Sequence, residues 1–257
     1  MSGCLWPEPP LVLPSLANSI HIWCAWLDRP DHSMSDLRRT LSPDEKERAE
    51  RFRFERDRWR FLVRRGMLRL ILSRYAGLEP AQLLFAYSSY GKPTLAFPAG
   101  SKLYWQNDPE ARPYVLKFNL SHSQSLALYA ITADQEIGVD VEALRSDFEV
   151  ETVARRFFSR REQAELSSLP AGQQQAAFFL CWTRKEAYIK AHGLGLSLPL
   201  EQFDVAFSPG EDARLLATRP DAEEAERWDL MHLAPAPGYV GAVAVQAPAQ
   251  QLHCWQV

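Results

Sequence analysis

A repeated helix-start pattern is the feature that most constrains the fold of this chain. Residues 41–45 are LSPDE and residues 158–162 are FSRRE, 117 positions later. Ser42 suits the N-cap of the first copy, and each copy precedes a short helical stretch and then a longer one that ends near a glycine, Gly77 or Gly193. A strand region follows each glycine. The repeat therefore predicts an α+β fold of two similar halves related by a pseudo-twofold axis.

The repeat places the boundary between the halves near residue 134. We expect a proline-rich arm over residues 1–19, an N-terminal α+β half over 20–134 and a C-terminal α+β half over 135–257. A site at the interface of the halves is expected, because ligands commonly bind there. The expected elements are strands at 21–27, 125–132, 136–142, 202–207 and 239–247, helix throughout 46–75, helices at 159–169 and 173–192, a hairpin at 83–97 and a long loop at 98–117.

Composition excludes several classes of protein. The 29 basic and 32 acidic residues give a net charge of -3, which argues against a nucleic-acid binder. No apolar run approaches the roughly 20 residues that span a bilayer, and no secretory signal is evident. Cys4, Cys24, Cys181 and Cys254 are scattered, which is typical of reduced thiols in a cytoplasmic protein. The internal duplication would let a monomer build the whole site.

Residues 137–142, IGVDVE, form the sharpest chemical motif. Apolar and polar positions alternate strictly, so a strand would place Gly138, Asp140 and Glu142 on one face. Two carboxylates that project together from a strand suit a hard cation such as Mg²⁺. Gly138 would let a bulky ligand approach. The alternative is a half-buried strand whose acidic face is solvated.

A second motif lies on the helix predicted at 173–192, where Glu186 and Lys190 are one turn apart. The carboxylate can ligate a metal or accept a proton, and the ammonium can neutralise charge that develops on a phosphate. The alternative is an ordinary ion pair on a helix surface.

Weaker candidates surround these two motifs. Asn119, Ser121 and His122 precede a predicted strand and could hold an anion. A hydrolase with Ser121 as nucleophile and His122 as base is less well supported, because no G-x-S-x-G elbow surrounds the serine. Lys92 lies in a predicted turn, and Arg48 begins a stretch dense in arginine. That density indicates an anionic ligand nearby.

The order of GKP (91–93), NLSH (119–122), IGVDVE (137–142) and WTRKEAYIKAHGLGL (182–196) resembles the 4′-phosphopantetheinyl transferases of the two-halved, surfactin-synthetase type. The resemblance covers about residues 41–200. It implies two pseudo-symmetric halves with the active site between them. It also implies that the chain transfers the 4′-phosphopantetheine arm of coenzyme A to a serine of an apo acyl or peptidyl carrier protein. Adenosine 3′,5′-bisphosphate would be the other product.

The resemblance also implies roles for individual residues. Asp140, Glu142 and Glu186 would hold Mg²⁺, or Mn²⁺ in its place, against the pyrophosphate. Asp140, Glu186 and Lys190 would be catalytic, with Glu186 or a metal-bound water taking the proton of the carrier serine. The expected coenzyme A contacts are Arg48, Lys92, Asn119, Ser121, His122, Lys185 and Lys190.

Two other functions fit the same residues. A magnesium-dependent nucleotide phosphodiesterase would share the acidic triad but attack with water. A non-catalytic module that binds coenzyme A or a carrier protein would need the pocket only. For a transferase, the acidic docking face of carriers would suit exposed arginines such as Arg160 and Arg161.

Overall fold

The computed structural model describes residues 6–28, 33–97, 103–104, 113–145, 148–208, 210–248 and 251–257. No helix in these ranges is both long enough and apolar enough to cross a membrane. The helices are α1 (Met34–Thr40), α2 (Pro43–Glu50), α3 (Glu55–Ala76), α4 (Val150–Phe157), α5 (Arg160–Ser168) and α6 (Ala171–His192). The strands are β1 (Ser19–Trp26), β2 (Leu84–Tyr87), β3 (Pro93–Ala96), β4 (Leu103–Tyr104), β5 (Pro113–Tyr114), β6 (Leu116–Ser123), β7 (Leu126–Ala133), β8 (Ile137–Ala143), β9 (Phe203–Val205), β10 (Leu215–Thr218), β11 (Trp228–Leu233), β12 (Tyr239–Gln246) and β13 (Gln251–Gln256).

Two sheets carry the fold, and each supports one long helix. The first sheet has the order β13-β1-β7-β6, and the second has the order β11-β12-β8. Apolar side chains of α3 pack on the first sheet, and those of α6 pack on the second. A third apolar cluster fills the space between the sheets, with side chains from β1, β7, β8 and β12. Burial of the third cluster holds the two halves together, while the other two clusters fix each long helix on its own sheet.

The repeat seen in the sequence is present in the structure. Ser42 and Ser159 begin α2 and α5 with capping boxes, and Gly77 and Gly193 end α3 and α6 with φ of 64° and 72°. Glycine suits these two positions because a left-handed backbone strains other residues. The strand trios β1-β7-β6 and β8-β12-β11 have matching order and antiparallel pairing. The predicted pair of α+β halves is confirmed.

A buried ion pair also recurs in both halves. The capping-box carboxylate Glu45 accepts hydrogen bonds from Arg65 and, at 2.6 Å, from Arg69 Nε. Its counterpart Glu162 lies 2.8 Å from Lys185 Nζ. Arg69 also donates to two carbonyl oxygens just after α3, as Lys185 does after α6. Each pair thus fastens a short helix, a long helix and the following turn.

Some expected elements differ from the structure. The helix expected throughout 46–75 is interrupted at residues 51–54, where the chain turns between α2 and α3. The expected loop at 98–117 contains β4, β5 and the start of β6, while residues 98–102 and 105–112 lie outside the described residues. The sequence did not predict α1, α4, β6, β10, β11 or β13.

The two ends of the chain pack against the first sheet. Residues 1–5 of the arm lie outside the described residues, but Leu13 and Leu16 are buried in the core beneath α3. Strand β13 pairs in parallel with β1, so the last strand of the chain extends the sheet of the N-terminal half. The division of the chain at residue 134 stays a prediction.

Candidate active site

The acidic strand β8 lies where the two halves meet. Ile137, Val139 and Val141 point into the apolar cluster between the sheets, as the alternation predicts. Asp140 and Glu142 therefore project from the opposite face, toward α6. Asp140 is only 3% exposed, so the alternative of a solvated acidic face is wrong for this residue.

Asp140 is the centre of a three-residue cluster drawn from three elements. Lys190 Nζ, from α6, donates to Asp140 Oδ1 at 2.6 Å. Ser121 Oγ, from β6, donates to the same oxygen at 2.7 Å and accepts from Lys190 Nζ at 2.9 Å. Burial, the largest contribution, opposes the charge of Lys190, but the attraction of Asp140 outweighs it and raises the pKa of the ammonium. Lys190 is therefore a fixed positive charge.

Glu142 and Glu186 complete the acidic group. Burial and the neighbouring charge of Asp140 raise the pKa of Glu142, while a hydrogen bond of 2.7 Å from Ser123 Oγ opposes the shift. Burial, followed by the charge of Asp140, raises the pKa of Glu186 to about 7. A carboxyl group with a pKa near neutrality can accept and release a proton under physiological conditions.

Gly138 serves the packing of the helix and not the approach of a ligand. A Cβ at this position would lie 2.1 Å from the carbonyl oxygen of Ala187 and 2.3 Å from the amide nitrogen of Ala191. The absence of a side chain lets α6 cross β8 closely enough for Lys190 to reach Asp140. The expectation that Gly138 admits a bulky ligand is thus corrected.

A cleft of about 530 Å³ opens next to the acidic group. Arg60, Arg64, His122 and Ser123 line it, together with Phe61. Arg64 Nη1 donates to His122 Nε2, and because a guanidinium has no acceptor, the imidazole proton lies on Nδ1. Burial and then the charge of Arg64 lower the pKa of His122 to about 4. The positive charge of this cleft therefore comes from its arginines.

A second cleft, of about 570 Å³, shares Phe52 with the first. Arg48 and Arg51 line it together with Asp44 and Glu47, and Arg51 is ion-paired with Glu47. The Arg48 guanidinium lies 5.4 Å from the centre of the Phe61 ring. Basic groups thus continue from Arg64 toward α2. The acidic cluster and a basic surface stand side by side, which suits a ligand that carries several phosphates.

Two family models match the chain. The model of the 4′-phosphopantetheinyl transferase N-terminal region matches residues 25–134, and that of the 4′-phosphopantetheinyl transferase superfamily matches residues 136–244. The 4′-phosphopantetheinyl transferase HetI of Nostoc sp. is 43% identical over 249 residues, which cover 97% of this chain and 96% of HetI. The chain belongs to the 4′-phosphopantetheinyl transferases.

Two further relatives are similar over most of their length. The 4′-phosphopantetheinyl transferase Sfp of Bacillus subtilis is 30% identical over 203 residues, which cover 78% of this chain and 82% of Sfp. The mouse L-aminoadipate-semialdehyde dehydrogenase-phosphopantetheinyl transferase is 26% identical over 229 residues, covering 84% and 70%. The two-halved architecture and the transferase activity expected from the sequence are confirmed: the chain is an enzyme that transfers 4′-phosphopantetheine from coenzyme A to carrier proteins.

The transferase uses Lys185 for its core and not for its ligand. The ammonium of Lys185 is fully buried, pairs with Glu162 and donates to the carbonyl oxygens of Leu200 and Phe203. The Lys185 side chain lies on the core-facing side of α6, whereas Glu186, the next residue, lies farther round the helix. The expectation that Lys185 contacts coenzyme A is therefore corrected.

Two other residues expected to contact coenzyme A bind protein groups of the transferase. Lys92 Nζ donates to Glu136 at 2.8 Å and to the carbonyl oxygen of Ala191 at 2.6 Å, so it caps the end of α6. Asn119 is buried, and its Oδ1 accepts from the amide of Val139 at 3.0 Å. The structure brings Arg48, Ser121, His122 and Lys190 to the clefts or the acidic cluster, whereas Lys92, Asn119 and Lys185 are engaged by protein groups.

The acidic residues of the transferase fit a divalent cation. In the described part of the chain no three side chains stand ready as a metal site, since Lys190 and Ser121 occupy Asp140 Oδ1. Asp140 Oδ2, however, is buried and finds no hydrogen-bond partner among these described residues. Asp140 also raises the pKa of both Glu142 and Glu186, which shows that the three carboxylates repel one another. A cation would relieve both costs, and oxygen ligands are those that Mg²⁺ prefers.

Proposed function

We propose that this transferase carries out its reaction at the cluster of Asp140, Lys190, Glu142 and Glu186. The serine oxygen of an apo carrier attacks the phosphorus on the pantetheine side of the coenzyme A pyrophosphate. The bond from that phosphorus to the bridging oxygen breaks, and adenosine 3′,5′-bisphosphate leaves with the electron pair. The observation that carries the assignment is the ion pair between Lys190 and the buried Asp140, whose second carboxylate oxygen has no partner among the described residues.

Each side chain has a separate task in this scheme. Glu186, the carboxylate one helical turn before Lys190, accepts the proton of the carrier serine. Lys190 neutralises the charge that develops on the departing phosphate. Asp140 and Ser121 hold the Lys190 ammonium in place through hydrogen bonds of 2.6 and 2.9 Å.

Asp140, Glu142 and Glu186 are the residues that would hold Mg²⁺. When bound, the ion supplies charge neutralisation for the pyrophosphate oxygens. The three carboxylates would hold the ion in place, and they leave the site acidic when no ion is bound.

The arginine-lined cleft is proposed to hold the 3′-phosphate of coenzyme A. Arg64 is largely buried, and burial lowers the pKa of its guanidinium. Among the described residues no carboxylate forms an ion pair with it. A phosphate beside His122 and Arg64 would supply that missing charge. Comparing kcat/KM for coenzyme A and 3′-dephospho-coenzyme A tests this: Arg64→Met should abolish the preference for the phosphorylated form.

The carrier is proposed to dock at the start of α5. Arg160 and Arg161 are exposed at the start of α5, where they are free to meet an acidic partner. Reversing both charges should raise the KM for the carrier and leave the KM for coenzyme A unchanged. An unchanged KM for the carrier would remove this surface from consideration.

The decisive experiment measures the mass of an apo carrier after incubation with the protein, coenzyme A and Mg²⁺. We expect a gain equal to the phosphopantetheine arm, and Asp140→Asn should abolish it while the variant stays folded. Consumption of coenzyme A without a carrier would indicate the phosphodiesterase instead. Binding of coenzyme A without turnover, across a panel of fatty acid, polyketide and nonribosomal peptide carriers, would indicate the non-catalytic module.

A further inference from the structure

The outer edge of β8 is covered by side chains and not by another strand. Strand β8 ends its sheet, and β6 of the other half runs beside it without joining that sheet. Asn119 Oδ1 accepts from the amide of Val139 at 3.0 Å, and Ser123 Oγ accepts from the amide of Ala143 at 3.1 Å. Side chains of β6 thus satisfy backbone groups that an edge strand leaves unpaired.

The related edge in the other half is closed differently. Strand β1, the counterpart of β8, pairs along its outer edge with β13 in a regular parallel ladder. A backbone ladder satisfies the amides of an edge but offers no donor to side chains that project from it. The side chains that cover the edge of β8 can therefore donate hydrogen bonds to its carboxylates, which a paired strand cannot do.

Two serines supply that extra function. Ser121 and Ser123 are two positions apart on β6, as Asp140 and Glu142 are on β8. Each hydroxyl donates to the carboxylate opposite it, at 2.7 Å in both cases. A hydroxyl has one proton, so Ser123 gives that proton to Glu142 Oε2 and accepts the Ala143 amide on its oxygen. The Ala143 amide therefore fixes the orientation of the Ser123 hydroxyl, whereas the Lys190 ammonium fixes that of Ser121.

We propose that Ser123 is a positioning residue that holds the Glu142 carboxylate in the orientation a divalent cation requires. The proposal rests on the metal site described under the proposed function. Ser123 engages Oε2, so Oε1 is the oxygen presented to the cation. The serine belongs to the N-terminal half and the carboxylate to the C-terminal half, so docking of the halves completes the site.

Loss of such a partner weakens a metal site without removing a ligand. Substitution of groups that orient metal ligands typically lowers metal affinity by about 10–100-fold. For Ser123→Ala we expect a rise of about tenfold or more in the Mn²⁺ dissociation constant, measured from the free-ion signal in electron paramagnetic resonance. The Mg²⁺ concentration for half-maximal transfer should rise in parallel. Ser123→Thr, which keeps the hydroxyl, should restore the affinity.

Ser125→Ala is the matched control. Ser125 also joins the halves, through a hydrogen bond of 3.1 Å between its hydroxyl and that of Tyr239, but it contacts neither carboxylate. It should leave Mn²⁺ binding unchanged even where it lowers the melting temperature. If Ser125→Ala weakens Mn²⁺ binding as much as Ser123→Ala, the effect comes from loosened halves and the proposal is overturned.

Glu142→Gln separates this proposal from the one on which it rests. If Glu142→Gln weakens Mn²⁺ binding and Ser123→Ala does not, the positioning role is refuted while the metal site stands. If Glu142→Gln itself binds Mn²⁺ as tightly as the parent, the assignment of Glu142 as a metal ligand is refuted, and the role of Ser123 falls with it. Weakened binding in Ser123→Ala and Glu142→Gln, with rescue by threonine, supports the proposal.

Discussion

Gly138→Ala should uncouple α6 from β8 and thereby disable the site. The new methyl carbon would lie 2.1 Å from the Ala187 carbonyl oxygen and 2.3 Å from the Ala191 nitrogen, the two ends of one helical hydrogen bond. These are backbone atoms, so no side-chain rotation can clear the overlap. The helix must withdraw as a unit.

The size of the movement follows from the contacts. Ordinary van der Waals contact begins at 3.4 Å, so α6 must retreat by roughly 1.3 Å from its present 2.1 Å approach. Overpacking of this kind costs about 3 kcal/mol, the upper end of the usual range. For a chain of this size that lowers the melting temperature by roughly 6–12 °C. Lys190 lies on the displaced turn, and its 2.6 Å bond to Asp140 would lengthen beyond hydrogen-bonding range.

The assay combines thermal unfolding with steady-state transfer to an apo carrier. A misplacement of about 1 Å can cost about 100-fold in rate, so we expect kcat/KM to fall by about that factor. Gly172→Ala is the matched control, because Gly172 lies in the first turn of the same helix and the added carbon would meet no described atom within 4 Å beyond its chain neighbours and its own helix backbone. It should leave both measurements unchanged or raise the melting temperature slightly. A Gly138→Ala protein with parental melting temperature and parental kcat/KM would refute the packing argument.

Two other substitutions test the structure away from the acidic cluster. Lys185→Met leaves Glu162 as an unpaired buried charge, so it should destabilise the fold by about 3–5 kcal/mol in chemical denaturation. The KM for coenzyme A of the folded protein should stay unchanged. A marked rise in that KM would indicate that Lys185 contacts coenzyme A. His21 is buried, and burial, with smaller contributions from His253 and Arg74, lowers its pKa to about 3. The unfolded chain therefore binds a proton near pH 6.5 that the folded chain does not, so this contribution to stability is complete above pH 6.5. It falls by about 1.4 kcal/mol for each pH unit below that value until the pH nears 3. His21→Asn should flatten that part of the stability profile, and an unchanged slope would contradict the assignment.

Local periodicity explains why the acidic cluster was predictable. A period of two identifies Asp140 and Glu142 as neighbours on one face of a strand, and a spacing of four does the same for Glu186 and Lys190 on a helix. The convergence of the two faces was implied by the family resemblance, and the ion pair between Lys190 and Asp140 now gives it a distance of 2.6 Å.

Long-range packing explains what the sequence did not reveal. Lys185 is adjacent to Glu186, yet it points into the core, where it pairs with Glu162. Glu162 lies 23 residues away on another helix, so local spacing did not predict this pair. The repeat carried the relevant signal, since Glu45 and Arg69 occupy the related positions in the first half. The role of Gly138 was equally hidden, because a pattern shows that a residue has no side chain but not which element crosses it. Ser123 was overlooked although its spacing from Ser121 matches that of the two carboxylates.

The twofold relation explains why one chain builds one site. The positions related to Asp140 and Lys190 in the first half, 117 and 116 residues earlier, are Trp23 and Arg74. The Arg74 guanidinium lies 5.1 Å from the Trp23 ring centre, so the same strand–helix contact carries a cation–π pair instead of a buried ion pair. Introducing a carboxylate at position 23 would not create a second site. The edge of β1 where serines would have to approach is already closed by β13, whereas the open edge of β8 admits Ser121 and Ser123. Specialisation of the two halves therefore depends on how each edge is closed as well as on the residues that face the helix.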